Sequence, residues 1–307
     1  MNKFSFSKRI LDIPEAISQK LLSKVRNLKK LNYKIHDFSK QQDTPKIAIN
    51  RVITSLKFQE SSISSDIRGV YDLREVISKK LFSNNNLRVD TDKNIIITVG
   101  AKEAIMSSLF ALIDHGDEVI IEDPGYLSFA PLIKLVGGIP KRLELKKKNG
   151  FKISISNLSD LINTKTKLLL LCNPHNPTGR CLSYNDLKKI SDICLKYNLN
   201  VLLDEAYEHF VYNNNKHYSL ASFPGMFERS ITIQTVSKIY NMSGWRIGWV
   251  VGSSKLIEKI LIAHSHAVTS PTTFAQIGVI PVIEKNIGEG NEKINIIVKR
   301  YEKQKWI

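Results

Sequence analysis

The sequence predicts an α/β fold with a mostly parallel β-sheet flanked by helices. From about residue 70, helical patterns alternate with short apolar runs, as in chains that build parallel sheets from βα units. The runs at 95–97 and 168–171 are continuously apolar, which is typical of strands covered on both faces. At 307 residues the chain is long enough for two domains, or for one large α/β domain with an appendage.

The elements are predicted in order along the chain. Apolar residues at helical spacing predict a helix over 14–30, residues 37–45 are predicted to form a loop, and Pro45 is expected to open the next helix. Helices then follow at 71–83, 101–113, 126–136 and 183–197. Strands are predicted at 94–99, 117–121, 139–145, 167–171, 199–203, 230–235 and 247–251. Helical patterns at 254–264, 270–286 and 291–305 close the chain.

Composition limits the possible partners. The formal net charge of +16 suggests nucleic-acid binding, but the lysines are scattered and no nucleic-acid-binding motif accompanies them. We therefore expect no nucleic-acid partner and keep that function as a minor alternative. No apolar run approaches membrane-spanning length, and residues 1–9 carry no secretory signal, so no membrane association is expected. Three cysteines are too few for a disulfide framework, which favours a reduced, cytoplasmic setting.

A lysine and an arginine follow the apolar run at 230–235. Lys238 lies next to Ser237, and Arg246 comes eight residues later between two glycines. Lysine is the side chain that forms a Schiff base with an aldehyde, and the planar arginine fork can donate two hydrogen bonds to a phosphate. An aldehyde and a phosphate on one small molecule suggest pyridoxal 5′-phosphate (PLP). The alternative is a surface lysine and a strand-end arginine, so the choice depends on the rest of the chain.

Two earlier strand ends also carry candidate binding residues. Small residues at the start of the helix after strand 94–99 would let backbone N–H groups approach an anion, with the helix dipole assisting. Tyr126 follows strand 117–121, where its ring could stack on a flat heterocycle. The alternatives are close helix packing in the first case and an ordinary turn tyrosine in the second.

Two further strand ends supply polar side chains. The loop at 172–180 contains two Asn-Pro pairs and a Thr-Gly pair, and it presents Asn176 as a hydrogen-bond donor. Cys172 and His175 in this loop have metal-like spacing, but no second pair exists, so no metal is expected. Asp204, at the end of strand 199–203, could pair with a protonated ring nitrogen, with Tyr207 close by. The alternative for Asp204 is a helix cap.

Taken in this order, these residues resemble the class I/II aminotransferases, the fold-type I PLP enzymes. The resemblance runs from about residue 35 to the end of the chain. It rests on Gly-Ala-x-Glu-Ala at 100–104, Pro-x-Tyr at 124–126, Asn-Pro-x-Asn-Pro-Thr-Gly at 173–179, Asp-Glu-x-Tyr at 204–207 and Ser-Lys-x7-Arg-x-Gly at 237–248.

The resemblance implies a role for each residue. Lys238 would bind the cofactor aldehyde and later move the substrate Cα proton, with Asp204 and Tyr207 completing the catalytic set. Asp204 would pair with the pyridine nitrogen, Asn176 and Tyr207 would contact the phenolic oxygen, and Tyr126 would stack on the ring. The phosphate would be bound by the remaining residues, which are Gly100, Ala101, Lys102, Thr235, Ser237 and Arg246.

The resemblance also implies a homodimer that exchanges an amino group between an amino acid and a 2-oxo acid. Two alternatives stay open at this point. One is another reaction of fold-type I PLP enzymes, such as that of a C–S lyase or a decarboxylase. The other is a non-catalytic PLP-binding remnant.

Three features depart from the family pattern. The substrate loop expected around 39–43 lacks the family's glycine and proline, and Ser64 stands where a tyrosine commonly reaches the phosphate of the neighbouring subunit. The chain also stops before the small domain that holds the arginine for the substrate α-carboxylate. We therefore expect an N-terminal arm and part of a small domain at 1–50, a PLP-binding large domain at 51–288 and the start of a truncated small domain at 289–307. Such a chain is expected to bind PLP and to transaminate poorly.

Overall fold

The fold is organised around one seven-stranded β-sheet. The computed structural model describes residues 4–36, 43–288 and 292–304. Across the sheet the order is β1-β7-β6-β5-β4-β2-β3; β7 is antiparallel to both neighbours and the other pairs are parallel. The predicted α/β class with a mostly parallel sheet is confirmed. In chain order the strands are β1 (Ile95–Thr98), β2 (Glu118–Asp123), β3 (Ile139–Glu144), β4 (Thr166–Cys172), β5 (Asn200–Asp204), β6 (Ser230–Thr235) and β7 (Gly248–Val251).

Helices cover both faces of the sheet, and each strand alternates its side chains between them. Leu168 and Leu170 of β4 pack with the helices of one face, while Leu169 and Leu171 pack with those of the other. This two-sided burial explains the continuously apolar run. The described helices are α1 (Lys8–Leu11), α2 (Ile17–Lys30), α3 (Lys46–Lys57), α4 (Tyr71–Asn85), α5 (Gly100–Leu112), α6 (Phe129–Leu135), α7 (Ile155–Leu161), α8 (Tyr184–Lys196), α9 (Ser254–Ala267), α10 (Thr273–Glu284) and α11 (Glu292–Gln304).

Some predicted boundaries differ from the structure. Helix α7 was not predicted, because seven residues are too few to show a helical period; Ser154 caps it by accepting from Asn157 N–H at 3.3 Å. The helix predicted at 126–136 begins at Phe129, since the preceding residues form a turn closed by Phe129 N–H and Tyr126 O at 3.0 Å. Pro45 lies at the start of α3 as its N-cap, at φ −55° and ψ 125°, and the helix itself begins at Lys46.

Two sequence-based expectations fall largely outside the described residues. The divergent loop at 39–43 is described only at Asp43, and the expected boundary at 289–291 is not described. In the described part of the chain, no helix has the length and apolar character needed to span a bilayer.

The reversed direction of β7 determines where the chemistry can assemble. The carboxyl ends of the other strands meet at one edge of the sheet, and β7 begins at that same edge because it runs the opposite way. Ligands of open α/β sheets bind outside the carboxyl ends of the strands. The segments after β1, β4, β5 and β6 and the segment before β7 therefore surround one place.

Candidate functional site

A pocket of about 360 Å³ lies at this edge of the sheet. Ten of the eleven residues singled out from the sequence line it. The eleventh, Gly100, lies beneath the Arg246 side chain: a Cβ atom added to Gly100 would meet Arg246 Nη2 at 2.5 Å. The lining residues from the prediction are Ala101, Lys102, Tyr126, Asn176, Asp204, Tyr207, Thr235, Ser237, Lys238 and Arg246.

One end of the pocket is suited to an anion. Arg246 adopts a left-handed backbone conformation at φ 56°, and its guanidinium is fixed by two backbone carbonyls. Nη1 donates to Ser243 O at 2.9 Å and Nη2 donates to Val99 O at 3.1 Å. Of its five donors, two are committed, so the fork keeps N–H groups for a ligand.

Two hydroxyls and a helix N-terminus complete this end. The Thr235 and Ser237 hydroxyl oxygens are 2.9 Å apart, and Thr235 Oγ1 donates to Ile247 O at 2.8 Å. Helix α5 begins at Gly100, and Val99 at its N-cap supplies no side-chain cap. The first-turn N–H groups of α5 therefore face the pocket region with the positive end of the helix dipole. This combination is typical of phosphate sites.

A buried carboxylate lies at the end of β5. Asp204 is 6% exposed, and among the described residues its side-chain carboxylate accepts one hydrogen bond from protein, from Ala206 N–H to Oδ1 at 3.0 Å. Burial raises the pKa of Asp204 to about 6, although the Ala206 N–H and the Lys238 ammonium act in the opposite direction. A carboxylate in this position gains most from a cationic hydrogen-bond donor in the pocket.

An amine and two aromatic rings form the rest of the wall. Lys238 Nζ lies 5.1 Å from the centre of the Tyr207 ring, close enough for a cation–π contact. Tyr126 is held by an edge-to-face contact with Phe129 at 5.3 Å between ring centroids. Its ring therefore presents a fixed apolar surface at the pocket.

The loop that carries Asn176 is supported by a buried ion pair that the sequence analysis missed. Glu122, fully buried, pairs with Arg180 and also accepts from Cys172 N–H at 3.0 Å. His175 Nδ1 lies 2.7 Å from Thr178 Oγ1 in the same loop. Burial lowers the pKa of His175, so this histidine is neutral at pH 7. No local pattern reveals the pair, because its partners lie 58 residues apart.

A second polar network, also missed, lies behind the pocket wall. Lys80 on α4 is 1% exposed, and its Nζ lies 2.6 Å from Glu208 Oε2 and 2.8 Å from Gln234 Oε1. Burial alone would raise the pKa of Glu208, but the Lys80 ammonium and the neighbouring histidines His209 and His217 lower it to about 2. A lysine on the buried face of a predicted helix was the available signal, because such a charge needs a partner.

Three side chains in this network could in principle hold a metal ion. One ligand atom from each of Glu205, Glu208 and His217 lies within 4.8 Å of the others. Lys80 already supplies a cation to Glu208, and burial together with the Glu208 charge raises the pKa of Glu205 to about 8. A protonated Glu205 beside the Lys80–Glu208 pair balances the charges, so this network is explained without a metal.

The comparisons with known proteins agree with this geometry. A profile of the family described as "Aminotransferase class I and II" matches residues 28–303. The chain belongs to this family. An aspartate aminotransferase of Pyrococcus abyssi is 41% identical over 208 residues, which cover 68% of this chain and 54% of that protein. An aspartate aminotransferase of Musicola paradisiaca is 32% identical over 304 residues, which cover 98% of this chain and 75% of that protein.

Solved aminotransferase structures have the same fold as this chain. The crystal structure of an aspartate aminotransferase from Thermotoga maritima superposes with a TM-score of 0.89 at 28% identity, covering 98% of this chain and 78% of that one. The match to the Pyrococcus protein, by contrast, spans about half of that relative's length.

Members of this aminotransferase family depend on PLP, and the pocket residues fit that group. Among the described residues no cationic side chain donates a hydrogen bond to the buried Asp204 carboxylate, and a protonated pyridine nitrogen would be such a donor. Gly100 lies so close to Arg246 that a side chain at position 100 would displace the guanidinium at the anion end of the pocket. Lys238 lines the same pocket as these two features, so its amine is available to an aldehyde on the same ring.

Proposed function

We propose that this chain belongs to a PLP-dependent aminotransferase that moves an amino group between an amino acid and a 2-oxo acid. The main support for this proposal is that a single pocket contains the Lys238 amine, the buried Asp204 carboxylate and an anion-binding end at Arg246. The Pyrococcus and Musicola relatives named as aspartate aminotransferases support this reaction class. An amino acid and a 2-oxo acid are therefore its proposed substrates.

PLP, when bound, supplies an electron sink for the negative charge that develops at the substrate Cα. In the proposed mechanism the Lys238 amine would hold the cofactor aldehyde, and the free amine could accept the proton from the substrate Cα. Asp204 would keep the ring nitrogen protonated, because a buried carboxylate gains most from a positive partner. Tyr126 would pack against the ring face, and Asn176 and Tyr207 would donate hydrogen bonds to the phenolic oxygen.

The anion end of the pocket is proposed to bind the cofactor phosphate. Arg246 would contribute charge-assisted hydrogen bonds at about 1.5–3 kcal/mol each. The hydroxyls of Thr235 and Ser237 and the backbone of Gly100, Ala101 and Lys102 complete the cradle. Anchoring the phosphate fixes the ring against Asp204 and Lys238, and such orientation can lower a barrier by several kcal/mol.

The proposal extends to organisation and location. Residues 51–288 would form the PLP-binding large domain, with residues 1–50 as an arm with part of a small domain and 289–307 as the start of the C-terminal small domain. A homodimer is supported by exposed apolar side chains on and after α3: Ile53 is 47% exposed and Phe58 is 73% exposed. Three free thiols support a reduced, cytoplasmic setting.

Covalent trapping tests the cofactor assignment. We expect PLP to give a visible absorbance band that borohydride removes, leaving the label on the peptide that contains Lys238. Lys102, the other lysine in the pocket lining, is the matched control: Lys102→Ala should keep the band and Lys238→Ala should lose it. Labelling of Lys102 instead, or an unchanged band in Lys238→Ala, would contradict the assignment.

Product analysis tests the reaction. Incubation of the PLP-loaded protein with an amino acid and 2-oxoglutarate should yield glutamate and the matching 2-oxo acid. Release of ammonia would indicate a lyase, and release of carbon dioxide with an amine would indicate a decarboxylase. Binding of PLP without any turnover would identify a non-catalytic cofactor-binding protein.

A further inference from the structure

A chain of hydrogen bonds connects the helix layer on one face of the sheet with the Arg246 guanidinium. It begins at His264 on α9, whose Nδ1 lies 3.1 Å from Glu103 Oε1 on α5. Glu103 Oε2 accepts from Val99 N–H at 3.0 Å. The Val99 carbonyl in turn accepts from Arg246 Nη2 at 3.1 Å. Val99 is thus fixed by Glu103 through its N–H and by Arg246 through its carbonyl.

Neither end of the Glu103–His264 pair lines the pocket. His264 is fully buried, and the Glu103 side chain is 13% exposed. Glu103 also accepts from Ser107 Oγ, so both its carboxylate oxygens are hydrogen-bonded within the protein. A carboxylate in the first turn of α5 lowers the positive potential of the helix N-terminus, and it therefore opposes direct anion binding there. Glu103 can therefore favour phosphate binding only by fixing the positions of neighbouring groups.

Glu103 fixes the conformation of the turn at Val99 and Gly100, and the Arg246 guanidinium packs against this turn. Val99 is followed by Gly100 at φ +72°, and Gly100 contacts the Arg246 guanidinium directly. Release of Val99 N–H would let this strand-to-helix turn rotate and carry the Val99 carbonyl away from Nη2. Among the described residues, Ser243 O would then be the one remaining acceptor for the guanidinium.

We propose that Glu103 and His264 are positioning residues for the phosphate-binding arginine. The proposal rests on the proposed function, because it assumes that Arg246 binds the PLP phosphate. His264 fixes the Glu103 carboxylate, Glu103 fixes the Val99 peptide, and the Val99 carbonyl fixes the direction of the guanidinium. The pair acts on the cofactor without touching it.

A comparison of PLP with pyridoxal, which lacks the phosphate, isolates this role. The two ligands share the ring and the aldehyde, so the ratio of their dissociation constants reports the phosphate cradle and cancels the covalent step. We expect Glu103→Ala and His264→Gln to raise the Kd for PLP about tenfold, the scale of one charge-assisted hydrogen bond lost from alignment. The Kd for pyridoxal should change by less than about twofold, within the range expected of a residue that makes no contact with the ring.

Two control variants separate positioning from general stability. His266→Gln changes an exposed histidine two residues along α9 and should leave both dissociation constants unchanged. Glu103→Gln keeps a carbonyl oxygen for Val99 N–H and should restore most of the preference for PLP. Thermal unfolding of each apo variant identifies a loss of stability, and if His264→Gln does not fold, the Ala and Gln variants of Glu103 decide the outcome.

Arg246→Ala distinguishes failure of this proposal from failure of the proposed function. If Arg246→Ala loses the preference for PLP while Glu103→Ala keeps it, the cradle is correct and the positioning role is wrong. If Arg246→Ala keeps the preference, the phosphate assignment itself is wrong. Equal weakening of PLP and pyridoxal in the Glu103 variants would also overturn the proposal, because it indicates a purely structural role.

Discussion

Gly100 and Arg246 are in direct contact although they are distant in sequence: a Cβ at position 100 would lie 2.5 Å from Arg246 Nη2. Gly100 also has φ +72°, a conformation that L-residues with a side chain rarely adopt. The two constraints coincide at the end of the pocket assigned to the phosphate. Substitution of Gly100 should therefore strain the local backbone and also disturb the proposed phosphate site.

Gly100→Ala should displace the guanidinium and weaken PLP binding by at least about tenfold, because the fork can no longer lie over the turn. Gly116→Ala is the control, since Gly116 has φ +88° and nothing within 4 Å of an added Cβ. Both variants should lose about 1 kcal/mol of stability from backbone strain. Isothermal titration with PLP checks the result, and equal PLP affinity in the two variants would show that the contact is unimportant.

Asp204 should make the apo protein less stable as the pH rises. Burial raises its folded-state pKa to about 6 from the ordinary 3.8, so its favourable protonated form is fully present below pH 3.8 and is lost as the pH rises through 6. Apo Asp204→Asn should therefore gain stability relative to the parent between pH 5 and pH 8, by about 1.4 kcal/mol for each unit of pKa shift removed.

The same substitution should act in the opposite sense once PLP is present, because the neutral amide cannot pair with a protonated ring nitrogen. Urea unfolding at pH 5 and pH 8, with and without PLP, measures both effects. An apo Asp204→Asn protein that is less stable than its parent at pH 8 would contradict the assigned burial cost.

Lys80 should be essential for stability even though it lies outside the pocket. Lys80→Met leaves the Glu208 carboxylate buried without its cation, and breaking such a pair costs about 3–5 kcal/mol. Lys79→Met is the matched control on the same helix, because Lys79 forms an exposed pair with Glu75 that contributes about 0.3–0.5 kcal/mol. Chemical denaturation compares the two, and similar losses would indicate that Glu208 finds another partner.

If the chain forms the proposed homodimer, a charge placed in the interface should produce a monomer. Ile53→Glu, on the exposed face of α3, places a charge in the proposed interface and should convert a dimer into a monomer. Phe82→Glu on α4 alters a residue that is similarly exposed, at 53%, and serves as the control. Light scattering after gel filtration gives the mass of each species. A parent protein that is monomeric at micromolar concentration would contradict the homodimer directly.

Most of the fold and the pocket lining could be predicted, because both depend on local patterns. The continuous apolar run in β4 identifies a strand covered on both faces, and the polar residues at strand ends form recognisable motifs. The carboxyl ends of parallel strands share an edge, which explains why Asp204 and Asn176 meet at one place in the fold. Lys238 lines the same pocket because β6, the strand before it, is parallel to β5 and ends at the same edge.

The supporting contacts could not be predicted because they join distant positions. Lys80 meets Glu208 across 128 residues and Gln234 across 154. The carboxylate–histidine contact between Glu103 and His264 spans 161 residues. Each residue alone looks like an ordinary helix or strand position, and only the packed fold identifies its partner.

Lys238 and Arg246 belong to one hairpin, which is closed by the pairing of Thr235 with Gly248. Val236 N–H donates to Ile247 O at 3.2 Å next to the strand pair, and Trp245 N–H donates to Met242 O at 3.1 Å within the loop. These hydrogen bonds stabilise the hairpin. The distance between the Lys238 amine and the Arg246 guanidinium therefore depends on one locally folded segment. Under the proposed assignment, a ligand whose aldehyde and phosphate are spaced differently would engage one of the two residues but not both, so a dozen consecutive residues would select ligands by molecular length.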